Sequence, residues 1–245
     1  MELAKSGFNI ILMARDKQKL ESVAKEIKEA YTGVETKTIV YDFSELASVD
    51  SAEALKVLLE KELANVDLSI LVNNVGCAKF ATLDKHTIWD SMRQINVNIN
   101  SQTYMSMFLL PKLLGRESRS AMINISSVAA YNPGGSLPIY CASKSYNWVL
   151  SECMRNAYSE QMDVLTVTPN SVRSQMNSGR YLFAISANRH ASASVNQLGW
   201  AGVTYGSVVH ALQPRLKAIP PIGFFVDTVN ASRRAAWIKQ EEVQK

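Results

Sequence analysis

Short apolar runs alternate along the chain with longer segments in which apolar residues recur every three or four positions. The first run, FNIILMA, ends at Ala14. In the segment after it, the apolar residues have helical spacing: Leu20, Val23, Ala24 and Ile27. Continuous apolar runs of this length are typical of strands buried on both faces of a parallel sheet, and the spaced pattern predicts an amphipathic helix.

The same alternation continues to about residue 169. It predicts strands at TKTIVY (36–41), LSILVNN (68–74), AMINIS (121–126) and DVLTVTP (163–169), and helices over 52–63, 87–114 and 139–158. Strands that alternate with helices of this length build βαβ units and a parallel sheet. We therefore predict one α/β domain over residues 1–245, with a Rossmann-like, doubly wound parallel sheet and helices on both of its faces.

Composition excludes several other classes of protein. With 47% hydrophobic and 20% charged residues, the chain has the make-up of a folded domain and not of a disordered one. The net charge of +4 comes without a cluster of Lys and Arg, so we expect no nucleic-acid partner. The three cysteines form no CxxC motif and have no histidine at metal-ligand spacing, so we expect neither a disulfide framework nor a metal site.

Polar and charged residues follow the predicted strands at their carboxyl ends, which is where doubly wound sheets bind ligands. These residues are Arg15, Asp42, 73–76, Ser126, Ser127 and the segment 169–174. Each of them alone has a simpler explanation in the chemistry of turns. Five such groups at one edge of a sheet predict a binding cleft.

Ser127, Tyr140 and Lys144 have the chemistry that reduction of a carbonyl requires. Tyr140 and Lys144 are four residues apart and share one face of a predicted helix. A nearby ammonium favours the phenolate, so we expect Lys144 to lower the pKa of Tyr140 from its ordinary value near 10 toward neutrality. A serine hydroxyl beside the tyrosine can donate to a substrate oxygen on which negative charge develops.

Seven motifs together carry a family resemblance: ELAKSGFNIILMAR, YDFS, LVNNVG, INVNINS, INISS, YCASK and VTPNSV. On these motifs, from residue 1 to about 215, the chain resembles the short-chain dehydrogenases/reductases. Within that family it is most similar to the branch that holds 17β-hydroxysteroid dehydrogenases and very-long-chain 3-oxoacyl-CoA reductases.

The resemblance implies four catalytic positions. Asn98 would hold a proton-relay water through its backbone, and Ser127 would orient the substrate. Tyr140 would be the catalytic acid–base, and Lys144 would lower its pKa and bind the nicotinamide ribose. Asn98 is identified only by its register with the family, since any of the three asparagines in NVNIN could be a plain polar position on a helix.

The resemblance also implies NADP(H) as the cofactor. The positions that match cofactor contacts are Arg15, Asp42, Phe43, Asn74, Gly76, Tyr140, Lys144, Val172 and Ser174. Arg15 matches a residue that contacts the 2′-phosphate, and no acidic residue closes that strand to prefer the ribose of NAD. Arg15 could also be an ordinary basic residue at a strand end, and Asp42 could be only a helix cap.

One part of the family pattern is missing from this sequence. The family opens with a strand and a glycine-rich TGxxxGxG turn, whereas only Gly7 and Gly33 precede Gly76 here. We therefore expect a domain that is incomplete at its N-terminus and lacks the first strand and the phosphate loop. That strand is central in the family, so its absence should leave a gap of roughly 10 Å, about two strand spacings, between the strands ending near Ala14 and Asn73.

The resemblance implies NADPH-dependent reduction of a ketone on a lipid-like substrate, either a 3-oxoacyl-CoA or a 17-ketosteroid. Residues 175–199 would form a substrate lid, with Tyr181, Leu182, Phe183 and Ile185 as its apolar residues. The alternative is a non-catalytic relative that acts as a binding or assembly subunit. The missing phosphate loop favours that alternative, and the four intact catalytic positions oppose it.

The resemblance extends to partners and location. Relatives in this branch act at the cytosolic face of the endoplasmic reticulum, and the late stretch AIPPIGFFVD could make a peripheral membrane contact or a core or lid contact. No apolar run reaches the roughly 18 residues that a spanning helix requires. The 87–114 and 139–158 helices resemble those that pair in dimers of the family, so a homodimer is consistent with the sequence.

Overall fold

The computed structural model describes residues 1–174 and 183–217, together with 219–221, 223, 224, 228, 229 and 232. Two of the predicted lid residues, Tyr181 and Leu182, lie outside the described residues. So does part of the stretch AIPPIGFFVD.

Strands and helices alternate as the hydrophobic pattern predicts. The strands are β1 (Ile10–Ala14), β2 (Thr36–Val40), β3 (Ile70–Asn73), β4 (Ser120–Ile125), β5 (Met162–Val167), β6 (Val172–Arg173), β7 (Ile185–Ser186) and β8 (Val203–Thr204). The helices are α1 (Glu2–Lys5), α2 (Lys17–Ala30), α3 (Val49–Glu62), α4 (Ile88–Ile95), α5 (Ser101–Leu114), α6 (Pro138–Tyr158), α7 (Ala187–Val195) and α8 (Val208–Lys217).

Side-chain caps fix where several helices begin. The Asp16 carboxylate accepts a hydrogen bond from the Lys19 N–H at 3.1 Å and starts α2 directly after β1. Ser48 and Thr87 each form a reciprocal capping box, which starts α3 and α4 respectively. These caps satisfy N–H groups that the first helical turn leaves unpaired.

The sheet is parallel throughout. β1 pairs with β2, and β3, β4, β5 and β8 pair in that order. Helices connect successive strands, so the predicted doubly wound α/β fold is confirmed. The short strands β6 and β7 form a separate parallel pair beyond the end of β5.

A gap separates the two groups of strands, as the missing first strand led us to expect. Within the described residues, β1 pairs only with β2, and β3 pairs only with β4. A cavity of about 2390 Å³ runs between them, lined by 10–13 of β1 and 70–73 of β3. Both strands therefore present an unpaired backbone edge to this cavity.

Side chains, and not backbone hydrogen bonds, join β1 to the rest of the sheet. Ile11 and Met13 of β1 pack against the main hydrophobic core, whose fully buried members include Leu55, Leu113 and Met122. The opposite face of β1 packs against a smaller cluster built around Ile27. Burial of apolar surface, which is non-directional, can hold a strand in place without a ladder partner.

The predicted helix over 87–114 is interrupted. A π-helical turn over 96–100 separates α4 from α5, and the Ser101 N–H bonds to the Asn96 carbonyl five residues earlier. The side chains of Asn96 and Asn100 donate to the Ser44 and Leu46 carbonyls at 2.9 and 2.8 Å. Insertions of this kind are frequent at functional sites because they rotate the helix face that follows.

We predict that amide hydrogen exchange will reveal the gap between β1 and β3. In a parallel strand, alternate residues bond to the same neighbour. Ile10 donates to Glu35 of the β2 side and Ser69 accepts from Ala121 of the β4 side, so the amides of 11, 13, 70 and 72 point into the gap. These four amides should exchange near the rate of unprotected amides, whereas those of 12 and 71, which point to β2 and β4, should be protected.

The comparison of neighbouring residues controls for local stability, since each amide that should exchange fast has a neighbour on the same strand whose amide should exchange slowly. Equal protection of both sets, measured by NMR-detected exchange, would show that another segment pairs with these edges.

Candidate active site

Helix α6 is fastened to the end of β4, and this places the predicted catalytic residues together. The Ser126 hydroxyl donates to the Lys144 carbonyl at 2.7 Å, and the Ser145 hydroxyl donates to the Ala130 carbonyl at 2.6 Å. Ser127, which directly follows Ser126, is 9% exposed and accepts a hydrogen bond from the Ala129 N–H at 3.2 Å. Ser126 therefore anchors the helix and lines the cavity, whereas Ser127 lies beside Tyr140.

Lys144 lies at the floor of the cleft. Its Nζ donates to the Ile125 carbonyl at 2.8 Å and lies 5.8 Å from the centre of the Tyr140 ring. The residue is 4% exposed, and burial lowers the pKa of its amine to about 8. Tyr140 and Lys144 both line the large cavity, as the spacing of four residues predicts.

The expected lowering of the Tyr140 pKa by Lys144 is not found in this structure. Burial raises the pKa of the Tyr140 phenol, and the neighbouring Ser127 hydroxyl acts in the opposite direction. The Lys144 amine is held by a main-chain carbonyl and lies over the face of the ring. Sequence spacing brings the two side chains to one face but does not fix where the amine is directed.

Asn98 is completely buried and ties the strand-end loop to the helices. Its Oδ1 accepts from the Cys77 N–H at 2.8 Å, and its Nδ2 donates to the Cys77 carbonyl and to the Ser143 hydroxyl, both at 2.9 Å. A Cβ atom on Gly76 would lie 3.5 Å from the Lys144 Nζ and 3.6 Å from the Asn98 Oδ1. Gly76, Asn98 and Lys144 thus meet at one point, which sequence reasoning had connected only through the family resemblance.

The residues predicted to contact the adenosine end of a cofactor lie around the carboxyl ends of β1, β2 and β3. Arg15 and Asn74 are exposed and line the cavity. Asp42 accepts hydrogen bonds from the Ser44 N–H and hydroxyl at 2.9 and 2.8 Å, so it does cap a turn, as the simpler explanation held. The Phe43 side chain is 4% exposed and packs against Tyr41, but Phe43 also lines the cavity, so its contact with a cofactor stays a prediction.

Val172 and Ser174 lie on the opposite side of the cleft, and both line the cavity together with Pro169. Val172 belongs to β6, which pairs with β7. Of the predicted lid residues that are described, Ile185 of β7 is buried, whereas Phe183 is 39% exposed with a φ of 68°. Ile185 is therefore a packing residue of β7, and its contact with a substrate stays a prediction.

A buried polar network under the cleft was missed by the sequence reasoning. Asn73 at the end of β3 donates to the Asn124 Oδ1 at 2.8 Å, and Asn124 donates to the Ser151 hydroxyl at 2.9 Å. The Thr166 hydroxyl of β5 donates to Ser151 at 2.7 Å. Polar residues inside apolar strand runs were the available signal, since buried polar groups are almost always paired.

Two negative findings apply to the described part of the chain. It contains no group of three or more His, Cys, Asp or Glu side chains placed to hold a metal ion. None of its helices has the length and apolarity needed to cross a membrane.

Comparison with known proteins identifies the family. The sequence model for short chain dehydrogenases matches residues 1–182. The chain belongs to the short-chain dehydrogenase family. It is 36% identical over 224 residues to hydroxysteroid dehydrogenase-like protein 1 of Gallus gallus, covering 86% of this chain and 64% of that protein. It is 33% identical over 249 residues to the very-long-chain 3-oxoacyl-CoA reductase of Homo sapiens, covering 98% of this chain and 77% of that protein.

Solved structures of short-chain dehydrogenases show the same fold. A short-chain dehydrogenase from Sphingobium yanoikuyae in complex with NADPH superimposes with a TM-score of 0.72 at 20% identity, covering 96% of this chain and 87% of that one. A 7beta-hydroxysteroid dehydrogenase has the same TM-score and identity, and the superposition covers 89% of this chain and 84% of that one.

We predict that the amine of Lys144 titrates near pH 8. Because burial disfavours the charged form, the ammonium destabilises the folded state fully below about pH 8, and this destabilisation fades as the pH rises toward 10.5, the ordinary lysine pKa. In a titration of ¹³C-labelled lysines by NMR, one resonance should have its midpoint near pH 8 and be missing from Lys144→Met. That variant should gain free energy of unfolding at pH 7 and gain less at pH 10.

Lys28, which is exposed on α2, provides the control. Replacing Lys28 with Met should leave the resonance with the low midpoint in place. If every lysine resonance titrates above pH 10, the amine of Lys144 is not desolvated.

Proposed function

We propose that this chain is an NADPH-dependent reductase that converts a ketone on a lipid-like substrate to the alcohol. The observation that carries this proposal is that Tyr140 and Lys144 line a single cleft at the carboxyl ends of parallel strands, with Ser127 beside Tyr140 and buried Asn98 beside Gly76. A ketone oxygen needs a hydrogen-bond donor while charge develops on it and a proton when the bond to hydrogen has formed. Ser127 and Tyr140 are the groups in this cleft that fill these two roles.

In this mechanism Ser127 and the Tyr140 phenol both donate to the ketone oxygen and orient it. Burial keeps the phenol in its protonated form, which is the form a reductase needs at the start of the reaction. Tyr140 then gives its proton to the alkoxide oxygen. Lys144 stabilises the phenolate left behind, and Asn98 holds the loop at Cys77 against the helix so that the geometry is kept.

The residues present fit the two ends of NADP(H). Gly76 leaves open space beside the Lys144 amine and the Asn98 amide, where a side chain would narrow the cleft. Lys144, Val172 and Ser174 would hold the nicotinamide end, and Arg15, Asp42, Phe43 and Asn74 would hold the adenosine end. When bound, the cofactor supplies the hydride.

For the pyrophosphate, which joins these two ends of the cofactor, the chain offers fewer candidate binding residues. Only Gly7 and Gly33 precede Gly76 in the sequence. This sequence therefore has no glycine-rich turn leading into a helix N-terminus that could bind the pyrophosphate. The alternative of a non-catalytic binding or assembly subunit rests on this feature, and turnover by the purified chain would decide between the two.

The substrate class is proposed from the relatives. One similar protein is named a very-long-chain 3-oxoacyl-CoA reductase and another a hydroxysteroid dehydrogenase-like protein. Since the chain spans 64% of the length of the chicken relative, the activity of a whole relative comes to it only as a proposal. A 3-oxoacyl-CoA and a 17-ketosteroid are the two substrates to compare first.

We further propose peripheral membrane contact at the cytosolic face of the endoplasmic reticulum, where lipid-like substrates are concentrated. Ile219 and Phe224 in the stretch AIPPIGFFVD are 46% and 77% exposed, which supports a surface that meets lipid. Binding of the purified chain to phosphatidylcholine vesicles, lost on Phe224→Ser, is the measurement that bears on this point.

A homodimer is proposed through α4, α5 and α6. Trp89 of α4 is 84% exposed, and Met107 of α5 and Val149 of α6 are 52% and 50% exposed. The Thr103 and Tyr146 hydroxyls hydrogen-bond at 2.9 Å between α5 and α6, so Met107 and Val149, one turn further along each helix, share one surface. Exposed apolar side chains that adjoin in this way are typical of a protein interface.

We predict that Met107→Lys will shift a dimer to monomer in analytical ultracentrifugation, because it places a charge within the apolar surface. Val57→Lys on α3 is the matched control, since Val57 is 61% exposed and lies on a different helix. An unsubstituted chain that sediments as a monomer at all concentrations would contradict the dimer.

We predict that Tyr140→Phe will lower the rate of ketone reduction by at least about a hundredfold, because the phenol supplies the proton in the transition state. The measurement is oxidation of NADPH at 340 nm with a 3-oxoacyl-CoA and with a 17-ketosteroid. Circular dichroism should be unchanged, since the ring remains. Tyr158→Phe, at the far end of α6, should keep full activity; a Tyr140→Phe variant that also keeps it would refute the assignment.

A further inference from the structure

We propose that Arg93 is a second phosphate-binding residue which, with Arg15, forms a two-arginine site for the ribose phosphate of a phosphorylated adenosine. This inference rests on the proposed function, because it places the 2′-phosphate of NADPH at this site. Family resemblance directed attention only to Arg15, at the end of β1. Arg93 comes from a different element, α4, and has no role in the mechanism described above.

Hydrogen bonds fix the position of Arg93 between two loops of the cleft. The Cys77 Sγ contacts the Arg93 carbonyl at 4.0 Å, which places the last turn of α4 against the loop that follows Gly76. One turn later, the Asn96 Nδ2 donates to the Ser44 carbonyl at 2.9 Å, within the turn that Asp42 caps. Arg93 therefore lies between the predicted ribose-contacting loop and the predicted adenine-contacting turn.

Arg15 and Arg93 line the same cavity and act on the same neighbouring groups. Burial opposes ionisation of Asp42, but the Ser44 hydrogen bonds and the charges of Arg15 and Arg93 together lower the pKa of its carboxyl group. The same two charges act on the pKa of the Cys77 thiol against the effect of burial. Both guanidiniums are thus near enough to Asp42, which follows β2, and to Cys77, which follows β3, to act on the same two groups.

The positive charge of these two arginines is not neutralised. Within the described ranges, neither Arg15 nor Arg93 forms an ion pair, and the Asp42 Oδ1 already accepts two hydrogen bonds from Ser44. The other cation nearby, Lys79, is paired with Asp90 on the first turn of α4. Two exposed guanidiniums facing one carboxylate leave a net positive charge at the edge of the cavity.

A phosphate group suits this arrangement better than a carboxylate or a neutral sugar does. A guanidinium presents its donors in a planar fork that binds two phosphate oxygens at once, and two guanidiniums can bind a dianion from two sides. A hydroxyl group offers no charge to either. The site would therefore favour adenosine that carries a phosphate on its ribose over adenosine that does not.

The test measures binding of 2′,5′-ADP, which has the adenosine and its 2′-phosphate but no nicotinamide, by isothermal titration calorimetry. Arg93→Gln should weaken binding by about tenfold or more, as expected for the loss of a charge-assisted hydrogen bond. It should leave binding of 5′-AMP unchanged, since that ligand lacks the 2′-phosphate. Arg93→Lys should recover part of the affinity, because it keeps the charge but loses the fork.

Two controls separate a specific contact from a change in net charge. Lys28→Gln removes one positive charge from the other end of α2 and should leave the affinity for 2′,5′-ADP unchanged. The double variant Arg15→Gln with Arg93→Gln should lose more affinity than either single variant and should bind 2′,5′-ADP no better than 5′-AMP.

The proposal is overturned if Arg93→Gln binds 2′,5′-ADP as tightly as the unsubstituted chain does, or if the unsubstituted chain does not bind it. Tighter binding of 3′,5′-ADP than of 2′,5′-ADP would also overturn it, because the phosphate bound by the two arginines would then be that of a coenzyme A substrate. None of these results refutes ketone reduction, since a chain that uses NADH would still depend on Tyr140.

Discussion

The attachment of α6 to the end of β4 is the interaction on which the rest of the site depends. Ser126 holds the Lys144 carbonyl, Ser145 holds the Ala130 carbonyl, and the Lys144 amine bonds back to the Ile125 carbonyl. Side chain and main chain of Lys144 are therefore both fixed to the segment that carries Ser127. The three candidate catalytic residues, Ser127, Tyr140 and Lys144, therefore lie directly after β4 or on the helix attached to it, which gives them less freedom than a site built from loops would have.

A second constraint comes from the gap between β1 and β3. Most of the residues that would bind the adenosine end of a cofactor follow β1 and β2, whereas the candidate catalytic residues follow β4 or lie on α6. These two groups are joined through the side chains of Ile11 and Met13 and through the hydrogen bonds of Asn96 and Asn100. The affinity for a dinucleotide consequently depends on how well the core and the π-helical turn hold the two halves together, because binding requires both ends of the cleft at a fixed separation.

The sequence predicted β1 to β5, the main helices between them and the edge at which the candidate site lies, because each depends on the local period of apolar residues or on the ends of parallel strands. It did not predict the short strands β6, β7 and β8. It also did not predict the π-helical turn at 96–100, because a hydrogen bond to the carbonyl five residues earlier does not give the apolar residues a recognisable spacing. The position of Phe43 inside the core could not be read from a motif match either. How deeply a residue at the strand ends is buried is decided by packing against other elements, here against Tyr41 and its neighbours.

In the proposed reaction, proton transfer from Tyr140 depends on the position of the Lys144 amine. Burial raises the pKa of Tyr140, so the phenol holds its proton at neutral pH and is ready to donate it. Oxidation would need the phenolate first, and the Lys144 amine that could stabilise it is itself desolvated, with its pKa lowered to about 8 and its hydrogen bond directed to Ile125. Forming the phenolate requires the amine to turn toward the phenol and carry its charge in a buried place. Because Tyr140 becomes a phenolate when it gives up its proton, the proposed reduction depends on this movement of the amine as much as the reverse oxidation does.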